Sequence, residues 1–294
     1  MEIEFVKNRS LLTCLREALH LEKSNFSIFF KKTWIAALVF SLFYAAAIVL
    51  RTPNMALAQW GLKNIMISFV IQTIAYAGVY IVFLTLLATI FKLLTKQKPV
   101  RVYVRTFIIF ILKDILFILC LVGLVIGFAS IRSMLVKSEI STQLVICAFY
   151  IILGLVIMMV IFLPFIYVIG KYILDEKAKL IHVFGNIGVG LRHFGLLFGA
   201  TFIVCILLII ISALLYLPQT ILTIAQSKSQ LGAFEGDPLG TPAYFNALYY
   251  ATAAITAFLS CALTLYLVIT TAYLYGSIAA QEIERKQITV YEKD

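Results

Sequence analysis

Six long apolar stretches, separated by short charged or turn-forming segments, dominate the pattern of this chain. An α-helix needs about 20 apolar residues to cross a hydrocarbon core of about 30 Å. We therefore predict an all-α, polytopic membrane protein with six transmembrane helices. The predicted spans are residues 33–50, 64–91, 115–131, 141–170, 194–217 and 245–278. The predicted organisation is an amphipathic cytoplasmic segment at 1–32, a six-helix transmembrane domain at 33–281 and a cytoplasmic tail at 282–294.

The polar segments predict that the spans form three helical hairpins. Basic residues at the mouths of the odd-numbered spans, Lys32, Lys113 and Arg192, are spaced by about 80 residues. Each hairpin follows an amphipathic segment that is expected to lie on the membrane surface. These segments are residues 11–30, 97–112 and 176–191. The third hairpin carries a longer outer loop, residues 218–244. The pattern indicates a threefold repeat, although any chain of hydrophobic hairpins can show such regularity by chance.

The composition excludes an ordinary soluble domain. The 294 residues are 63% hydrophobic and only 13% charged, against roughly 45–50% and about 25% in soluble proteins. The net charge of +10 would suggest nucleic acid as the partner of a soluble protein. In a membrane protein it is typical of cytoplasmic loops, so we predict anionic lipid headgroups as partners, with a membrane-protein partner as a further candidate, and no nucleic acid.

The orientation follows from the distribution of lysine and arginine. Eighteen of these residues fall in the N-terminal segment, the two inner loops and the C-terminal tail, against five in the outer loops. Because cytoplasmic loops carry the excess of positive charge, both termini are predicted to be cytoplasmic. The predicted location is the inner, cytoplasmic membrane, which the chain crosses several times.

No residue pattern indicates catalysis, a metal or a cofactor. The histidines, His20, His182 and His193, all fall in predicted surface segments, and HExxH is absent. The five cysteines form no CxxC pair and are expected to be small buried apolar residues. The stretch GNIGVG at 185–190 lacks the strand and the Gly-Lys-Ser/Thr of a phosphate loop. We predict that the protein is not an enzyme.

Charged residues near the predicted cytoplasmic mouths are candidates for an interface. These residues are Lys113, Asp114, Asp175 and Arg192. Lys113 and Asp114 permit two interpretations. A charged pair buried inside a membrane helix would suggest a function, whereas a pair at the mouth of the third span would keep its charges in water by snorkelling. The repeat favours the mouth.

A polar path through the membrane is a second candidate feature. Its residues would be Gln72, Tyr76, Thr252, Thr256, Ser260 and Thr264. The four hydroxyl residues recur every fourth position and so share one face of the sixth span. They could line a path for a solute, or they could serve helix packing, as small residues in membranes often do. Two GxxxG motifs, Gly123 with Gly127 and Gly195 with Gly199, also favour close packing.

The turn between the fourth and fifth spans resembles a loose group of bacterial six-span inner-membrane proteins. This group is similar to the membrane domain attached to some glycerophosphodiester phosphodiesterases. The matching residues are Pro164, Phe165, Asp175, Ala178, Ile181, Arg192 and Phe194, together with the stretch Tyr273–Glu284. The resemblance implies a six-helix bacterial membrane protein. No phosphodiesterase domain is present, so that activity is not implied.

Two functions remain open from the sequence. The first is a non-catalytic inner-membrane protein that organises or assists protein partners or lipids. The second is a small-molecule transporter or permease with a polar path along spans 2, 4 and 6.

Overall fold

The computed structural model describes residues 4–51, 62–135, 140–234 and 241–291, which are helical throughout most of their length and contain no strand. The helices are α1 Leu11–Ser24, α2 Phe26–Arg51, α3 Leu62–Leu94, α4 Pro99–Leu135, α5 Ile140–Leu174, α6 Val183–Arg192, α7 Phe194–Phe234 and α8 Phe245–Tyr291. A short 3₁₀ turn, Leu180–His182, precedes α6. The first three residues of the predicted N-terminal segment and the last three of the predicted tail lie outside the described residues.

Within those ranges, six helices are long and apolar enough to cross a membrane. They are α2, α3, α4, α5, α7 and α8. Long apolar runs favour helices here because a helix satisfies every backbone polar group inside its own segment, which hydrocarbon requires. The predicted all-α fold with six candidate spans is therefore confirmed. Helices α1 and α6 occupy two of the predicted surface segments, and their place on a membrane surface stays a prediction.

Several predicted boundaries are wrong, since α2 already begins at Phe26 and α8 continues to Tyr291, and two further differences reassign whole segments. Helix α4 begins at Pro99 and continues without a break, so residues 99–112 are its first turns rather than a separate surface helix. Proline is well tolerated at the first helical position because the N–H that it lacks would be unpaired there. The helix has 37 residues, a length of about 55 Å, which exceeds the hydrocarbon thickness.

Helix α7 likewise continues beyond the predicted end of its span. It passes through Pro218 and ends at Phe234, so residues 218–234 are helical rather than part of an outer loop. Proline removes one backbone hydrogen bond, and membrane helices tolerate this because local adjustments and neighbouring groups can satisfy the freed carbonyl. Residues 235–240 of the predicted loop lie outside the described residues.

The chain divides into two compact units by its internal contacts. The first unit comprises residues 1–18, 94–202 and 270–294, and the second comprises 19–93 and 203–269. Helices α4, α5 and α6 belong to the first unit, and α3 belongs almost entirely to the second. Helices α7 and α8 each contribute residues to both units.

In the second unit, α2 and α3 pack in opposite directions. The rings of Phe40 and Phe83 lie 5.5 Å apart between centroids. Nearer the loop that joins the two helices, Gln72 Nε2 donates a hydrogen bond of 3.4 Å to the carbonyl of Leu50. Residues earlier in α2 therefore face residues later in α3, as in an antiparallel pair.

In the first unit, α4 and α5 also run antiparallel. The rings of Phe117 and Phe162 lie 5.5 Å apart, and the Tyr150 hydroxyl donates a 2.8 Å hydrogen bond to the carbonyl of Leu124. Gly127 leaves the space that this hydroxyl occupies, since a Cβ there would collide with it. One of the two predicted GxxxG motifs thus admits a side chain from the neighbouring helix rather than a close approach of two backbones.

Candidate functional site

The C-terminal end of α5 is held by an arginine from α4. The buried guanidinium of Arg105 donates hydrogen bonds to the carbonyls of Tyr172 at 3.0 Å, Asp175 at 2.7 Å, Glu176 at 3.0 Å and Ala178 at 2.8 Å. The last carbonyls of a helix have no partner within it and form the negative end of its dipole. Arginine matches this site because its planar fork offers five donors and keeps its charge.

Two further side chains complete this arrangement, which we call the α5 cap. Gln97, just before α4, donates 3.1 Å hydrogen bonds to the carbonyls of the last two residues of α5. Arg101, one helical turn before Arg105, donates to the carboxylate of Glu176 at 3.0 Å and to its carbonyl at 2.9 Å. The cap could not be predicted from the sequence, because its donors and acceptors are about 70 residues apart.

Asp175 and Arg192, which were predicted as interface residues, have local roles in the structure. The Asp175 side chain accepts a 2.8 Å hydrogen bond from the backbone N–H of Lys177, the geometry of a turn closed by an aspartate. Arg192 lies 3.6 Å from the carboxylate of Glu282. Asp175 therefore shapes the chain after α5, whereas Arg192 contacts the end of α8.

Glu282, in the last turns of α8, is the centre of a charge cluster in the first unit. Its side chain is only 12% exposed, and His193 Nε2 lies 3.0 Å from one carboxylate oxygen. Arg285 lies one turn further along α8, at 4.0 Å. A carboxylate this buried needs cationic or hydrogen-bonding partners, which three neighbouring side chains provide. Glu282 was predicted to lie in the cytoplasmic tail, so the cluster was not predicted.

The N-terminal segment is fixed to α8 by the stretch that carries the resemblance. Ser277 Oγ donates a 2.9 Å hydrogen bond to the carbonyl of Arg9 and accepts one of 3.2 Å from its N–H. The Arg9 guanidinium lies 2.6 Å from the carboxylate of Glu17 and 5.1 Å from the centre of the Tyr273 ring. Gly276 is in direct contact with the backbone of this segment, where no Cβ would fit.

Lys113 and Asp114 form an ion pair of 3.0 Å, and the side chains are 32% and 34% exposed. The ammonium group also lies 5.2 Å from the centre of the Phe110 ring. The pair is about 12 Å further along α4 than Arg105, at 1.5 Å per residue. It is therefore separate from the α5 cap, and the structure does not bring the four predicted interface residues together.

The glycine-rich stretch at 185–190 forms most of helix α6. Asn186 within it accepts a 2.8 Å hydrogen bond from Lys171 Nζ at the end of α5. Gly190 lies against the backbone of Pro164, at a distance that leaves no room for a Cβ. These contacts give the stretch a packing role between α5 and α6.

The predicted polar path along α8 is largely satisfied within its own helix. The hydroxyls of Thr252 and Thr264 donate to carbonyls four residues earlier, and that of Ser260 donates to a carbonyl three residues earlier. Thr256 is buried. Back-bonding of this kind leaves a hydroxyl with no free proton for a solute. The stripe on α8 therefore favours the packing interpretation.

A different polar group lies in the second unit, and we call it the tyrosine–glutamine cluster. It comprises Tyr44, Tyr76, Tyr216, Thr223 and Tyr249, together with Gln219, which shares the face of α7 that carries Tyr216 and Thr223. The Tyr44 hydroxyl interacts with that of Tyr216 and lies close to Tyr76 and Tyr249. The hydroxyls of Thr223 and Tyr249 are 3.1 Å apart. Of the predicted path residues, Tyr76 belongs to this cluster, and Gln72 lies one turn before it on α3.

Gln219 is the unusual member of the cluster. Its side chain is 6% exposed, and within the described residues neither its amide nitrogen nor its amide oxygen has a hydrogen-bond partner. Gln219 was not predicted as a site residue because the outer loop was predicted to begin at residue 218. The spacing of residues 216, 219 and 223 is the signal that could have found it, since these positions share one face of a helix.

The described residues contain no group of three histidine, cysteine, aspartate or glutamate side chains that could hold a metal ion. Cys14 in α1 is fully buried, and this burial raises the pKa of its thiol above the ordinary value. A thiol of this kind is a poor nucleophile, since the thiolate is the reactive form.

Comparison with protein families, with curated proteins and with solved structures finds no match for this chain. The resemblance to the membrane domain attached to some glycerophosphodiester phosphodiesterases stays a prediction from the residues quoted above.

Proposed function

We propose that this chain is a non-catalytic, multi-pass protein of a bacterial inner membrane, with both termini in the cytoplasm. Its basic cytoplasmic face binds anionic lipid headgroups and thereby organises lipids or protein partners. The support comes from exposed cations on the segments that the charge distribution assigns to the cytoplasm. These residues include Lys7, Arg16, Lys23, Lys31, Lys32, Lys96, Lys98, Lys177, Lys179 and Lys286.

The exposed face of helix α1 is the main support for this proposal. Leu12 and Leu19 are 68% and 58% exposed, and the exposed cations Arg16 and Lys23 share their face of the helix. The opposite face is buried in the protein and comprises Cys14, Leu15 and Ala18. A face that mixes leucine with cations suits the boundary between headgroups and acyl chains, where apolar groups insert and cations meet phosphate.

Not every cation in these segments is available to lipid. Arg105 and Arg9 are directed to backbone carbonyls and, for Arg9, to Glu17 as well. Each of the other exposed cations, where it lies close to an anionic surface, contributes about 1 kcal/mol to the free energy of binding. Lipid binding should therefore depend on the exposed residues of α1 and leave the buried arginines uninvolved.

The experiment is a lipid competition on the full-length protein. Native mass spectrometry would compare phosphatidylglycerol with phosphatidylcholine for the wild type and for the double variant Arg16→Gln, Lys23→Gln. Loss of two cations should lower the preference for phosphatidylglycerol by up to roughly 30-fold, since 1.4 kcal/mol is a factor of ten. Arg132→Gln, an exposed cation at the opposite end of α4 from the α5 cap, is the matched control and should change nothing. Equal binding of both lipids by the wild type would contradict the proposal.

The sidedness is tested separately by cysteine labelling. Lys228→Cys and Lys286→Cys, two exposed positions, would be introduced one at a time into a variant without native cysteines. A membrane-impermeant maleimide should label residue 228 when only the outer membrane is permeabilised, and residue 286 only after lysis. The reverse pattern would place the basic face on the wrong side for this function.

A small-molecule transporter is the second candidate function. The observation that favours it is the tyrosine–glutamine cluster, because unpaired polar groups in a membrane protein mark sites for a polar partner. A flux across proteoliposomes that contain the full chain, and that is lost in Gln219→Leu, would favour transport over a purely organising role.

A further inference from the structure

The side-chain amide of Gln219 is buried, and no described protein group forms a hydrogen bond with it. Leaving a buried donor or acceptor without a partner costs about 1–3 kcal/mol, and no lipid tail can supply one. Leucine at this position would avoid the cost, so the glutamine is unfavourable for stability unless something else bonds to it.

The surroundings of Gln219 offer hydroxyl groups on several helices. Tyr216 and Thr223 share its face of α7, one turn before and one turn after it. Thr223 donates to the backbone carbonyl of Gln219 at 2.8 Å, so its oxygen is the acceptor for the Tyr249 hydroxyl from α8. Tyr44 on α2 interacts with the hydroxyl of Tyr216 and so belongs to the same cluster. Donors, acceptors and aromatic rings thus lie together in the second unit.

The absence of charged residues from the surrounding apolar stretches limits which ligands this site can bind. The apolar stretches of the helices that carry the cluster, residues 33–50, 64–91, 203–227 and 245–269, contain no Asp, Glu, Lys or Arg. Within these stretches an ionic ligand would find no counter-charge, and burying an ion without one is strongly unfavourable. A neutral ligand with several hydroxyl groups would match the uncharged donors and acceptors.

We propose that the second unit binds a neutral polyhydroxylated group, with the Gln219 amide as its principal donor and acceptor and Tyr44, Tyr216 and Tyr249 around it. This chemistry is found in free sugars and polyols and in the headgroups of neutral glycolipids. The site differs from the basic face proposed above, which binds anions through exposed cations. Failure of either proposal therefore leaves the other standing.

The test uses the full-length protein in a polyoxyethylene detergent, because a maltoside or glucoside detergent would itself present the ligand. One arm measures binding of radiolabelled glucose and glycerol by scintillation proximity. The other arm measures binding of monoglucosyl-diacylglycerol against diacylglycerol by native mass spectrometry. Binding in the first arm identifies a free solute, and selective binding of the glucosylated lipid in the second identifies a headgroup.

Variants connect the binding to the cluster. Gln219→Leu should lower the affinity at least 10-fold, and Thr223→Val should lower it several-fold. Thr220→Val is the matched control, since Thr220, like Thr223, is exposed and donates to a carbonyl four residues earlier, whereas the Thr223 hydroxyl also bonds to that of Tyr249. Thr220→Val should bind as the wild type does. Retained binding in Gln219→Leu, or an equal loss in both threonine variants, would overturn the proposal.

Stability provides a second measurement. Without ligand, Gln219→Leu should raise the thermal midpoint, since it removes an unpaired buried amide. With saturating ligand, the wild type should gain stability and the variant should not. If neither arm detects binding, or if Gln219→Leu lowers the midpoint of the ligand-free protein, the amide bonds only to water or to the protein and the proposal is wrong.

Discussion

Arg105→Ala would remove a donor from four backbone carbonyls at and just after the end of α5. Two of them would keep another donor, since Asp175 accepts from the N–H of Ala178 and Glu176 accepts from Arg101. The lost bonds are 2.7–3.0 Å long and come from a cation, and each such bond contributes about 1.5–3 kcal/mol in isolation. The contributions are not additive, because water can reach some of the freed carbonyls and because the buried charge already carries a desolvation cost. We expect a loss of about 3–5 kcal/mol in the free energy of unfolding.

Arg101→Ala is the matched control for this prediction. Arg101 lies one turn away on the same helix, but its side chain is 46% exposed, and among the described residues it bonds to Glu176 alone. Exposed ion pairs contribute about 0–1 kcal/mol, so this variant should lose less than about 1 kcal/mol. Arg105→Lys should fall between the two variants, since lysine keeps the charge but cannot span four carbonyls with one planar fork.

The measurement is loss of helical circular dichroism as the purified full-length protein is titrated with dodecyl sulfate in mixed micelles. The three variants and the wild type would be compared under identical conditions, together with their thermal midpoints. A loss in Arg105→Ala within about 0.5 kcal/mol of the loss in Arg101→Ala would refute the reasoning. The carbonyls would then be satisfied by water as well as they are by Arg105.

Two further predictions concern α6 and α1. Gly190→Ala would place a Cβ against the backbone of Pro164, which no change of rotamer can relieve, and should cost about 1–3 kcal/mol. Gly188→Ala in the same helix meets open space and should be neutral or slightly stabilising, because alanine favours helix over glycine by about 1 kcal/mol; equal thermal midpoints for the two variants would contradict the packing. In α1, burial raises the pKa of Glu22 from its ordinary 4.5 to about 7. The folded state then binds the proton more tightly than the unfolded state, so the free energy of unfolding falls as pH rises from about 4.5 to 7. Relative to the wild type, Glu22→Gln should gain about 1–2 kcal/mol at pH 8, because solvent screening at this partly exposed site reduces the effect of the full pKa shift, and nothing at pH 4. An unfolding difference that does not change with pH would show that Glu22 is solvated.

The number and type of the long helices could be predicted from sequence, whereas the helix ends could not. Hydrocarbon leaves helices as the only way for this chain to satisfy its backbone, so long apolar runs determine them. Pro218 was taken as the end of a span, yet the apolar positions continue beyond it and α7 continues with them. The cations at 101 and 105 were taken as surface residues, whereas Arg105 is buried against carbonyls about 70 residues later, a distance that no local pattern reveals.

The polar residues of the candidate site could likewise be predicted only in part from the sequence. A stripe of hydroxyls at every fourth residue of α8 is visible in the sequence, but its importance depends on where each proton is donated. Three of these protons go to carbonyls of α8 itself. The side-chain amide of Gln219 has no such partner among the described residues. Spacing therefore identified residues on one face of a helix, and only the side-chain geometry separated satisfied from unsatisfied groups.

Some buried polar side chains of this protein form hydrogen bonds within the fold, whereas the side chain of Gln219 does not. We expect the first kind to stabilise the structure and the second to serve function. Arg105 and Ser277 in the first unit bond to backbone groups of distant segments, and removing them should weaken the fold. The side chain of Gln219 in the second unit bonds to no described group, so Gln219→Leu should strengthen the fold and weaken ligand binding at least 10-fold. Natural proteins retain such locally unfavourable residues at functional sites. Opposite signs of the stability change in Arg105→Ala and Gln219→Leu would therefore support a functional role for Gln219, and equal signs would remove the physical reason for one.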